Sequence, residues 1–435
     1  MNNKALDSLT TEYNIVGADA FDRLPEVCAA LFGSRTILVI SDERIWAHEG
    51  AKLDAALAGK VAYRLSLLPG TPAPYADDNL VAAIKKLIAG EAALSFGAGS
   101  INDVVKRAAY ELGQQYICVP TAPSVDGYAS YGAAITVKGF KTTLECPAPR
   151  AIIADSGILA RAPAELRASG YGDLVAKIAG GVDWMAADAG GIEPIHPVIW
   201  DMVQPWAMEV YGKAREIRSG DTGAIATLYS GLVASGLAMQ RYIDSRPASG
   251  AEHLLSHVWE MEHLCVNGAP VSHGFKVAIG TIASTIFQRA LFSKSAGEMA
   301  SAAAASGDDV LERRLAAAAS LLGGSPVLQP TVEAIRAKTP RGEALKARRA
   351  AYLASWDSLR EKALARLPEP SALAARMAEA GCPSALAEIN LDRESLLRGF
   401  RIAKLIRRRF TTLDLADEFG VFEELAERAA SWDLH

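Results

Sequence analysis

The sequence is poor in cysteine, and the cysteines it has are scattered. Five occur in 435 residues, at Cys28, Cys118, Cys146, Cys265 and Cys382, and no two form a Cys-X-X-Cys pair. An odd number of dispersed thiols argues against a disulfide framework and against a thiolate zinc site. It fits a reducing compartment.

Other absences narrow the class of protein further. There is no excess of basic residues, since the net charge is −5, so a nucleic-acid partner is not expected. Residues 1–16 show no charged-then-apolar signal pattern, and no apolar run approaches the roughly 18 residues that a membrane span needs. We therefore expect a cytoplasmic globular protein without a membrane span, and its length predicts two domains.

The order of hydrophobic patterns predicts an α/β domain followed by a helical one. Predicted strands and helices alternate in the first third of the chain, at residues 35–41, 60–68, 79–90, 92–96, 101–113 and 115–123. Such alternation is typical of parallel βαβ units. After about residue 160, helical periods dominate. We predict an N-terminal α/β domain with a parallel sheet over residues 1–165 and an all-α domain over residues 166–435.

Two glycines stand between a predicted strand and a predicted helix in the stretch LSFGAGSINDVV. Gly97 and Gly99 would let the backbone approach a diphosphate, and the free N–H groups at the helix start favour an anion. The third glycine of the usual dinucleotide fingerprint is missing. A plain tight turn explains the pattern equally well.

A polar loop follows the next predicted strand. Thr121, Ser124, Asp126 and Ser130 lie close together in VPTAPSVDGYASYG, at the carboxyl end of a strand. Open α/β sheets bind ligands at that edge. A loop of ordinary turn residues would have the same composition, so both interpretations stay open.

Histidines are rare, yet they cluster. Seven occur in all, and His253 and His257 are spaced i,i+4, so they share one helix face. His263 lies roughly 80° off the face of His253 and is set aside. His273 opens the next predicted helix after the break VNGAP. Two imidazoles and one carboxylate would form a catalytic site for a divalent metal.

A carboxylate for that site is offered by GDLVAKIAGGVDW, residues 172–184. The stretch predicts one apolar helix with Asp173 at its start and Lys177 one turn later on the same face. A carboxylate there either caps the helix or ligates a metal.

Taken in order, five motifs resemble the sn-glycerol-1-phosphate dehydrogenases. They are GAGSIND, PTAPSVDGYAS, GDLVAK, GAEHLLSHVWE and SHGFKVAIG, over roughly residues 30–290. That family belongs to the superfamily of iron-containing alcohol dehydrogenases and dehydroquinate synthases. The tail IRRRFTTLDLADEFG is similar to the end of bacterial members described with arabinose operons. The resemblance implies a dehydroquinate synthase-like fold and a homodimer.

The resemblance also implies roles for individual residues. The NAD or NADP diphosphate would be bound at Gly97, Gly99, Ser100 and Asp103. The nicotinamide half would contact Thr121, Ser124 and Ser130. The metal ligands would be Asp173, His253 and His273. Substrate would bind Asp126, Asp173 and His257, of which Asp126 and His257 are the catalytic candidates. Asp42, at the end of the first predicted strand, would hold the adenosine ribose.

The implied reaction is the reversible reduction of dihydroxyacetone phosphate to sn-glycerol 1-phosphate. One divalent ion (zinc, nickel or iron) would polarise the C2 carbonyl, and NAD(P)H would deliver hydride. The alternatives are a polyol dehydrogenase for unphosphorylated substrates, a dehydroquinate-synthase-like cyclase, and a non-catalytic protein that kept the fold. The cyclases have a glutamate as first ligand and a GGKTG-like stretch, where this chain has Asp173 and DGYASYG.

The sequence offers few cations for a substrate phosphate. Lys138, Lys141 and Lys177 are candidates, but we favour solvated lysines at all three. Residues 406–410, IRRRF, are interpreted as a solvated helix end without a function.

Overall fold

The computed structural model describes residues 9–88, 90–137 and 140–432. Its strands are β1 Tyr13–Gly17, β2 Ile37–Asp42, β3 Tyr63–Leu68, β4 Ala92–Gly97, β5 Tyr116–Pro120, β6 Ala133–Val137, β7 Phe140–Leu144, β8 Ala151–Asp155, β9 Cys265–Val266 and β10 Ala269–Pro270. Its helices in the first half are α1 Leu24–Phe32, α2 Glu43–Leu57, α3 Asp78–Ile88, α4 Gly99–Glu111, α5 Ser156–Arg161, α6 Ala164–Val175, α7 Lys177–Ala189, α8 Pro197–Tyr211, α9 Ala214–Ser219 and α10 Thr222–Tyr242.

The second half of the described chain is almost entirely helical. Its helices are α11 Ala251–Met261, α12 His273–Ser293, α13 Ala296–Ser306, α14 Val310–Leu322, α15 Leu328–Lys338, α16 Gly342–Arg366, α17 Pro370–Ala380, α18 Arg393–Ala403, α19 Thr412–Glu418 and α20 Phe422–Ala430. The short antiparallel pair β9–β10 separates α11 from α12. The predicted fold class, an α/β part with a parallel sheet followed by a helical part, is confirmed.

Six strands form one parallel sheet in the order β1-β8-β5-β4-β2-β3. Strands β2, β4, β5 and β8 are buried along their whole length, which explains why they appear in the sequence as continuous apolar runs. The chain leaves β2 toward β3 on one side and returns to β4 on the other. This reversal opens a crevice at the carboxyl ends of β2 and β4, where such sheets bind ligands.

The described chain divides into two compact units. The first comprises the described residues of Met1–Leu174, Glu209–Ser245 and Glu379–Gly381, and the second comprises those of Val175–Met208, Arg246–Ala378 and Cys382–His435. The first is built on the parallel sheet, and the second has a core of buried side chains such as Trp259 and Trp356. The single boundary at residues 165/166 stays a prediction, which limited proteolysis would test.

Helix α10 is long and apolar enough, by length and composition alone, to cross a membrane, a feature that the sequence analysis missed. Of its most apolar window, 61% is buried inside the fold. Its buried side chains include Leu228, Tyr229 and Leu232. Burial of this kind is typical of a core helix, so α10 gives only weak support for a membrane span.

Candidate active site

The turn between β4 and α4 has the features of an anion site. A Cβ on Gly97 would come within 2.7 Å of the Ile101 side chain, so only glycine fits there. A Cβ on Gly99 would meet only Val125, at 3.6 Å. The N-cap residue, Ala98, has no side chain that could bind the first N–H groups of α4. The first N–H groups of this 13-residue helix are therefore available to bind an anion.

Two acidic residues predicted to contact the nucleotide also hold local structure. Asp42 ends β2 and caps α2, since its carboxylate accepts from the N–H groups of Arg44 and Ile45 at 2.9 Å each. Asp103 accepts from the backbone N–H of Ala134 in β6 at 3.2 Å. Ser100 lies exposed in the first turn of α4. The structure places Asp42 and Gly97 at the crevice, and their nucleotide contacts stay predictions.

The polar loop after β5 is ordered by its own hydrogen bonds. The Thr121 N–H donates to the carbonyl of Gly97 at 3.1 Å, which joins the loop to the glycine turn. The hydroxyls of Ser124 and Tyr128 lie 3.1 Å apart. The Ser130 hydroxyl donates to a carbonyl within the loop. All three predicted nicotinamide contacts are buried, so the loop is more than a solvated turn.

Lys106 fixes this loop, and the sequence analysis missed it. Its ammonium donates to the carbonyls of Gly127, Ser130 and Gly132 at 2.8, 3.0 and 3.1 Å. The side chain is 1% exposed. The only sequence signal is that a lysine falls among the buried positions of α4, which calls for partners of this kind.

Asp126 and Asp173 are joined directly. The Asp126 N–H donates to Oδ2 of Asp173 at 2.9 Å, and the Ser235 hydroxyl donates to Oδ2 of Asp126 at 2.9 Å. The approach depends on Gly170, because a Cβ there would lie 1.7 Å from the carbonyl oxygen of Pro123. Helix α6 thus lies against the polar loop, with the Asp173 side chain fully buried.

The predicted position of Asp173 at the start of a helix is wrong. Asp173 lies in the last turn of α6, and a new helix, α7, begins at Lys177. The preceding residues AELRASGYG continue the helical pattern, so the helix begins well upstream of Asp173. The N-cap interpretation of this carboxylate is therefore excluded.

His253 and His273 form the centre of a histidine cluster. Their ring centroids lie 5.4 Å apart. Nδ1 of His253 lies 2.8 Å from Oε1 of Glu252, and Nδ1 of His273 lies 3.2 Å from Oε1 of Glu260. A carboxylate on Nδ1 fixes the ring and leaves Nε2 as the atom for a metal.

The three predicted metal ligands have donor atoms close to one another. One ligand atom each from Asp173, His253 and His273 lies within 4.8 Å of the others. A buried carboxylate with two imidazoles, both backed by carboxylates, is a donor set that suits zinc, nickel or iron. The residues present thus fit a divalent ion.

Glu260 connects the cluster, and it too was missed. Its Oε2 lies 3.2 Å from Nδ1 of His257, whereas its Oε1 contacts His273 and the Lys276 ammonium at 3.2 and 3.3 Å. The sequence signal is that Glu260 follows His257 by three residues on α11, which places the two on one face. One carboxylate therefore orients two of the predicted site histidines.

A second pair of carboxylates supports the start of α11. Asp183 accepts from the N–H groups of Ala251 and Thr412 at 2.6 and 2.7 Å. Burial, and then the nearby charge of Glu252, raise the pKa of Asp183 to about 6. Burial would also raise the pKa of Glu252, but the hydrogen bond and charge of His253 outweigh it and keep that pKa below its usual range. Glu252 is thus held as a carboxylate against His253.

His257 is linked to His273 through the Glu260 carboxylate, and it is not one of the three residues whose ligand atoms meet. Burial lowers its pKa, and the positive charge of Arg407 lowers it further against the opposing effect of Glu260. Its imidazole is therefore neutral near pH 7. His263 lies exposed beyond the end of α11.

The three lysines considered for binding the substrate phosphate lie in different surroundings. Lys138 lies outside the described residues, and Lys141 lies in β7. Lys177 is fully buried at the start of α7, so its interpretation as a solvated lysine is wrong.

The interpretation of residues 406–410 as a solvated helix end is also wrong. Helix α18 ends at Ala403, and both Ile406 and Phe410 are buried. Arg409 donates to the carbonyl of Ser249 at 3.1 Å. Three consecutive arginines made the segment look solvent-exposed in the sequence, although Ile406 and Phe410 on either side of them are buried.

Comparison with known proteins identifies close relatives. A sequence profile described as iron-containing alcohol dehydrogenase matches residues 15–163. Glycerol-1-phosphate dehydrogenase (NAD(P)+) of Geobacillus stearothermophilus is 33% identical over 278 residues, which are 62% of this chain and 68% of the relative. The enzyme of the same name from Halalkalibacterium halodurans is 34% identical over 275 residues, which are 61% of this chain and 68% of the relative.

A solved structure agrees with the fold. The sulfoacetaldehyde reductase of Bifidobacterium kashiwanohense, solved in complex with NAD+, superposes with a TM-score of 0.62 at 15% sequence identity. The match covers 98% of each chain. At that identity the likeness concerns the fold alone.

Proposed function

Since the chain belongs to the family of NAD(P)-linked glycerol-1-phosphate dehydrogenases, we propose that it catalyses the metal-dependent, reversible reduction of dihydroxyacetone phosphate to sn-glycerol 1-phosphate. The observation that supports this most is the meeting of ligand atoms from Asp173, His253 and His273. The two cofactor classes, a nicotinamide dinucleotide and a divalent metal ion, are those of the family.

The nucleotide is assigned to the crevice of the parallel sheet. The N–H groups at the start of α4 bind its diphosphate, because Gly99 leaves room for a close approach. The buried hydroxyls of Thr121, Ser124 and Ser130 lie along the nicotinamide half and hold it in position. Asp42 is the candidate partner of the adenosine ribose. The bound NAD(P)H supplies the hydride.

The metal is assigned to Asp173, His253 and His273. A divalent ion bound there supplies a Lewis acid for the C2 carbonyl. Glu252 and Glu260 hold Nδ1 of the two histidines, so each ring keeps one orientation. The backbone N–H of Asp126 holds one oxygen of Asp173 and orients that carboxylate.

His257 and Asp126 are assigned to the substrate. The His257 imidazole is neutral near pH 7. We assign to it the proton transfer at the C2 oxygen that the family resemblance implies. Glu260 fixes its ring through Nδ1. Asp126 binds a substrate hydroxyl, and its carboxylate is oriented by the Ser235 hydroxyl.

The test is reconstitution of the chelated enzyme. NADH oxidation is measured with dihydroxyacetone phosphate after zinc, nickel and iron are added back separately, and the metal content is measured in parallel by mass spectrometry. We expect activity only with added metal and stoichiometric metal in the wild type. Turnover of dihydroxyacetone at an equal or higher kcat/KM would instead favour a polyol dehydrogenase.

Variants test the assignment of the ligands. Asp173→Ala and His253→Ala are each expected to lose both bound metal and activity. His263→Asn is the matched control, because this exposed histidine has a φ of 54°, which asparagine tolerates. Full metal content in either ligand variant would contradict the assignment.

We also propose a homodimer that works in the cytoplasm. All five cysteines are free thiols, which fits a reducing compartment. Analytical ultracentrifugation would test the dimer, and cell fractionation would test the location.

A further inference from the structure

The helical unit contains a cavity of about 390 Å³ that is lined by residues outside the candidate active site. Three helices, α12, α16 and α20, and the start of α17 form its walls. Positions 286, 289, 290 and 293 of α12 line it, and their spacing places them on one helix face. We call it the arginine cavity, because three arginines line it: Arg289, Arg360 and Arg428.

The arginine cavity lies far from the candidate metal centre. His273 is the first residue of α12, and Ile286, the first residue of that helix to line the cavity, follows 13 residues later. At 1.5 Å of rise per residue, the two lie about 20 Å apart along the helix axis. A small ligand in the cavity is therefore out of contact with the metal centre.

Two of the arginines are held by backbone carbonyls, which fix them without neutralising their charge. Nε of Arg360 donates to the carbonyl of Phe292 at 2.8 Å, and Nη1 of Arg289 donates to the carbonyl of Leu367 at 2.8 Å. Among the described residues, the two terminal nitrogens of Arg360 have no hydrogen-bond partner. Paired hydrogen bonds from these nitrogens to an oxyanion are therefore possible.

Arg428 has no partner, although a glutamate lies one turn before it. Glu424 precedes it by four residues on α20, a spacing that favours an ion pair. Both oxygens of Glu424 instead accept from the Lys294 ammonium, at 2.9 and 3.0 Å. The other two glutamates of α20 pair with arginines of α18. Within the described part of the chain, the exposed Arg428 side chain therefore forms no hydrogen bond or ion pair.

The arginine cavity has an excess of positive charge. Glu369 is the only acid among the described residues that line it, and it pairs with Arg289. It offsets one of the three positive charges, so two remain. A ligand with two negative charges would balance them.

The walls of the cavity are partly apolar, and aromatic packing fixes them. The ring centroids of Phe287 on α12 and Phe422 on α20 lie 5.9 Å apart, and those of Phe292 on α12 and Trp356 on α16 lie 5.6 Å apart. The apolar lining residues are Ile286, Ala290, Leu364 and Pro370. A preformed cavity of this volume, with apolar walls and a few charged groups, is typical of a small-molecule site.

We propose that the arginine cavity binds a small organic anion that carries at least two negative charges on phosphate or carboxylate groups. The arginines bind its oxyanion groups, because a planar guanidinium matches both groups by paired hydrogen bonds. The apolar lining residues contact its carbon skeleton. This accessory site is separate from the candidate metal centre, and its occupation does not require the reaction proposed above.

Isothermal titration calorimetry of the whole chain tests this proposal. The probes are phosphoenolpyruvate, which carries a phosphate and a carboxylate, citrate, which carries only carboxylates, and inorganic phosphate, which has no carbon skeleton. Each probe is titrated into the wild type, Arg428→Gln, Arg360→Gln and His253→Ala. Thermal melting shows whether each variant is folded.

Arg336→Gln is the matched control for Arg428→Gln. Arg336 lies on α15 of the same unit and is not a lining residue of the cavity. Like Arg428, it is exposed and has no ion pair among the described residues. The two variants therefore remove the same charge, and only one removes it from the cavity.

We expect one equivalent of phosphoenolpyruvate or of citrate to bind the wild type, and inorganic phosphate to bind more weakly. Arg428→Gln and Arg360→Gln should each weaken binding of the organic probe about 10- to 100-fold, the effect of losing hydrogen bonds to a charged group. Arg336→Gln and His253→Ala should bind like the wild type. Binding of only one organic probe would identify which of the two oxyanion groups the cavity prefers.

Three results would overturn the proposal. One is that neither organic probe binds the wild type with a Kd below about 1 mM. Another is equal affinity of folded Arg428→Gln and Arg336→Gln for the probe. The third is loss of binding in folded His253→Ala, which would place the anion at the candidate metal centre.

Discussion

Oε1 of Glu260 lies 3.2 Å from Nδ1 of His273. The same carboxylate holds Nδ1 of His257 with its other oxygen, so one residue orients a predicted metal ligand and a predicted substrate contact. A substitution of Glu260 therefore tests the orientation of both histidines without removing a metal ligand.

Glu260→Gln is expected to weaken metal binding without removing a ligand. The amide cannot serve both Nδ1–H groups as a carboxylate does, so the rings lose their fixed orientation, and the metal affinity should fall about 10- to 100-fold. Competition with a chromogenic chelator measures this affinity. Glu262→Gln is the matched control, since Glu262 is exposed and pairs with Arg398. Unchanged affinity in Glu260→Gln would refute the role of Glu260.

His257→Asn should separate a substrate contact from a metal ligand. We expect stoichiometric metal in this variant, because the meeting ligand atoms belong to Asp173, His253 and His273. Its kcat should fall about 10²- to 10⁴-fold, as is typical when a proton-transfer group is lost. Mass spectrometry and steady-state kinetics provide the two readings. Loss of the metal along with the activity would show that His257 is a ligand.

Gly99→Ala should lower the affinity for NAD(P)H, whereas Gly97→Ala should lower the stability of the fold. The Cβ of Gly99→Ala meets only ordinary contacts, so thermal stability should stay near the wild type while NAD(P)H affinity falls at least about tenfold. The Cβ of Gly97→Ala would lie 2.7 Å from Ile101, so that variant should be destabilised by about 1 to 3 kcal/mol. Fluorescence titration and thermal melting measure the two effects. Normal NAD(P)H affinity in a folded Gly99→Ala protein would place the diphosphate elsewhere.

Glu418 should make stability depend on pH. Burial raises its pKa to about 7 from an ordinary value of 4.5, although Arg348, 2.9 Å away, opposes the shift. Because the folded state holds this proton more tightly than the unfolded state, its contribution to stability is complete below pH 4.5 and is lost as pH rises through 7. Relative to Glu418→Gln, the wild type should lose about 2 to 3 kcal/mol of unfolding free energy between roughly pH 5 and 8.

Urea denaturation at several pH values measures that difference. Gln keeps an oxygen for Arg348, so the comparison isolates the titrating proton. Glu312→Gln, at an exposed position, should follow the wild type at every pH. Parallel curves for the wild type and Glu418→Gln would show that Glu418 does not titrate in this range.

The sequence predicted those parts of the molecule that local patterns determine. The strand–turn–helix around Gly97 and Gly99 and the histidine pair on α11 follow from spacing alone. Strand β8, AIIAD, was missed because periodicity cannot identify a buried run of five residues. The start of α6 was misjudged because helical propensity extends upstream of Asp173.

The supporting residues of the site could not be predicted in this way. Lys106 and Glu260 are ordinary charged residues by sequence, and their roles arise from segments distant in the chain. Lys106 donates to carbonyls of the polar loop, and Glu260 contacts a histidine of the next helix. Such contacts depend on tertiary packing.

The most direct test of the account is the configuration of the product. The metal-reconstituted enzyme is incubated with dihydroxyacetone phosphate and NADH, and the glycerol phosphate is analysed by an enantiomer-specific assay. The account predicts sn-glycerol 1-phosphate, formed only when the metal is present. Formation of sn-glycerol 3-phosphate, or equal turnover in the chelated enzyme, would contradict it.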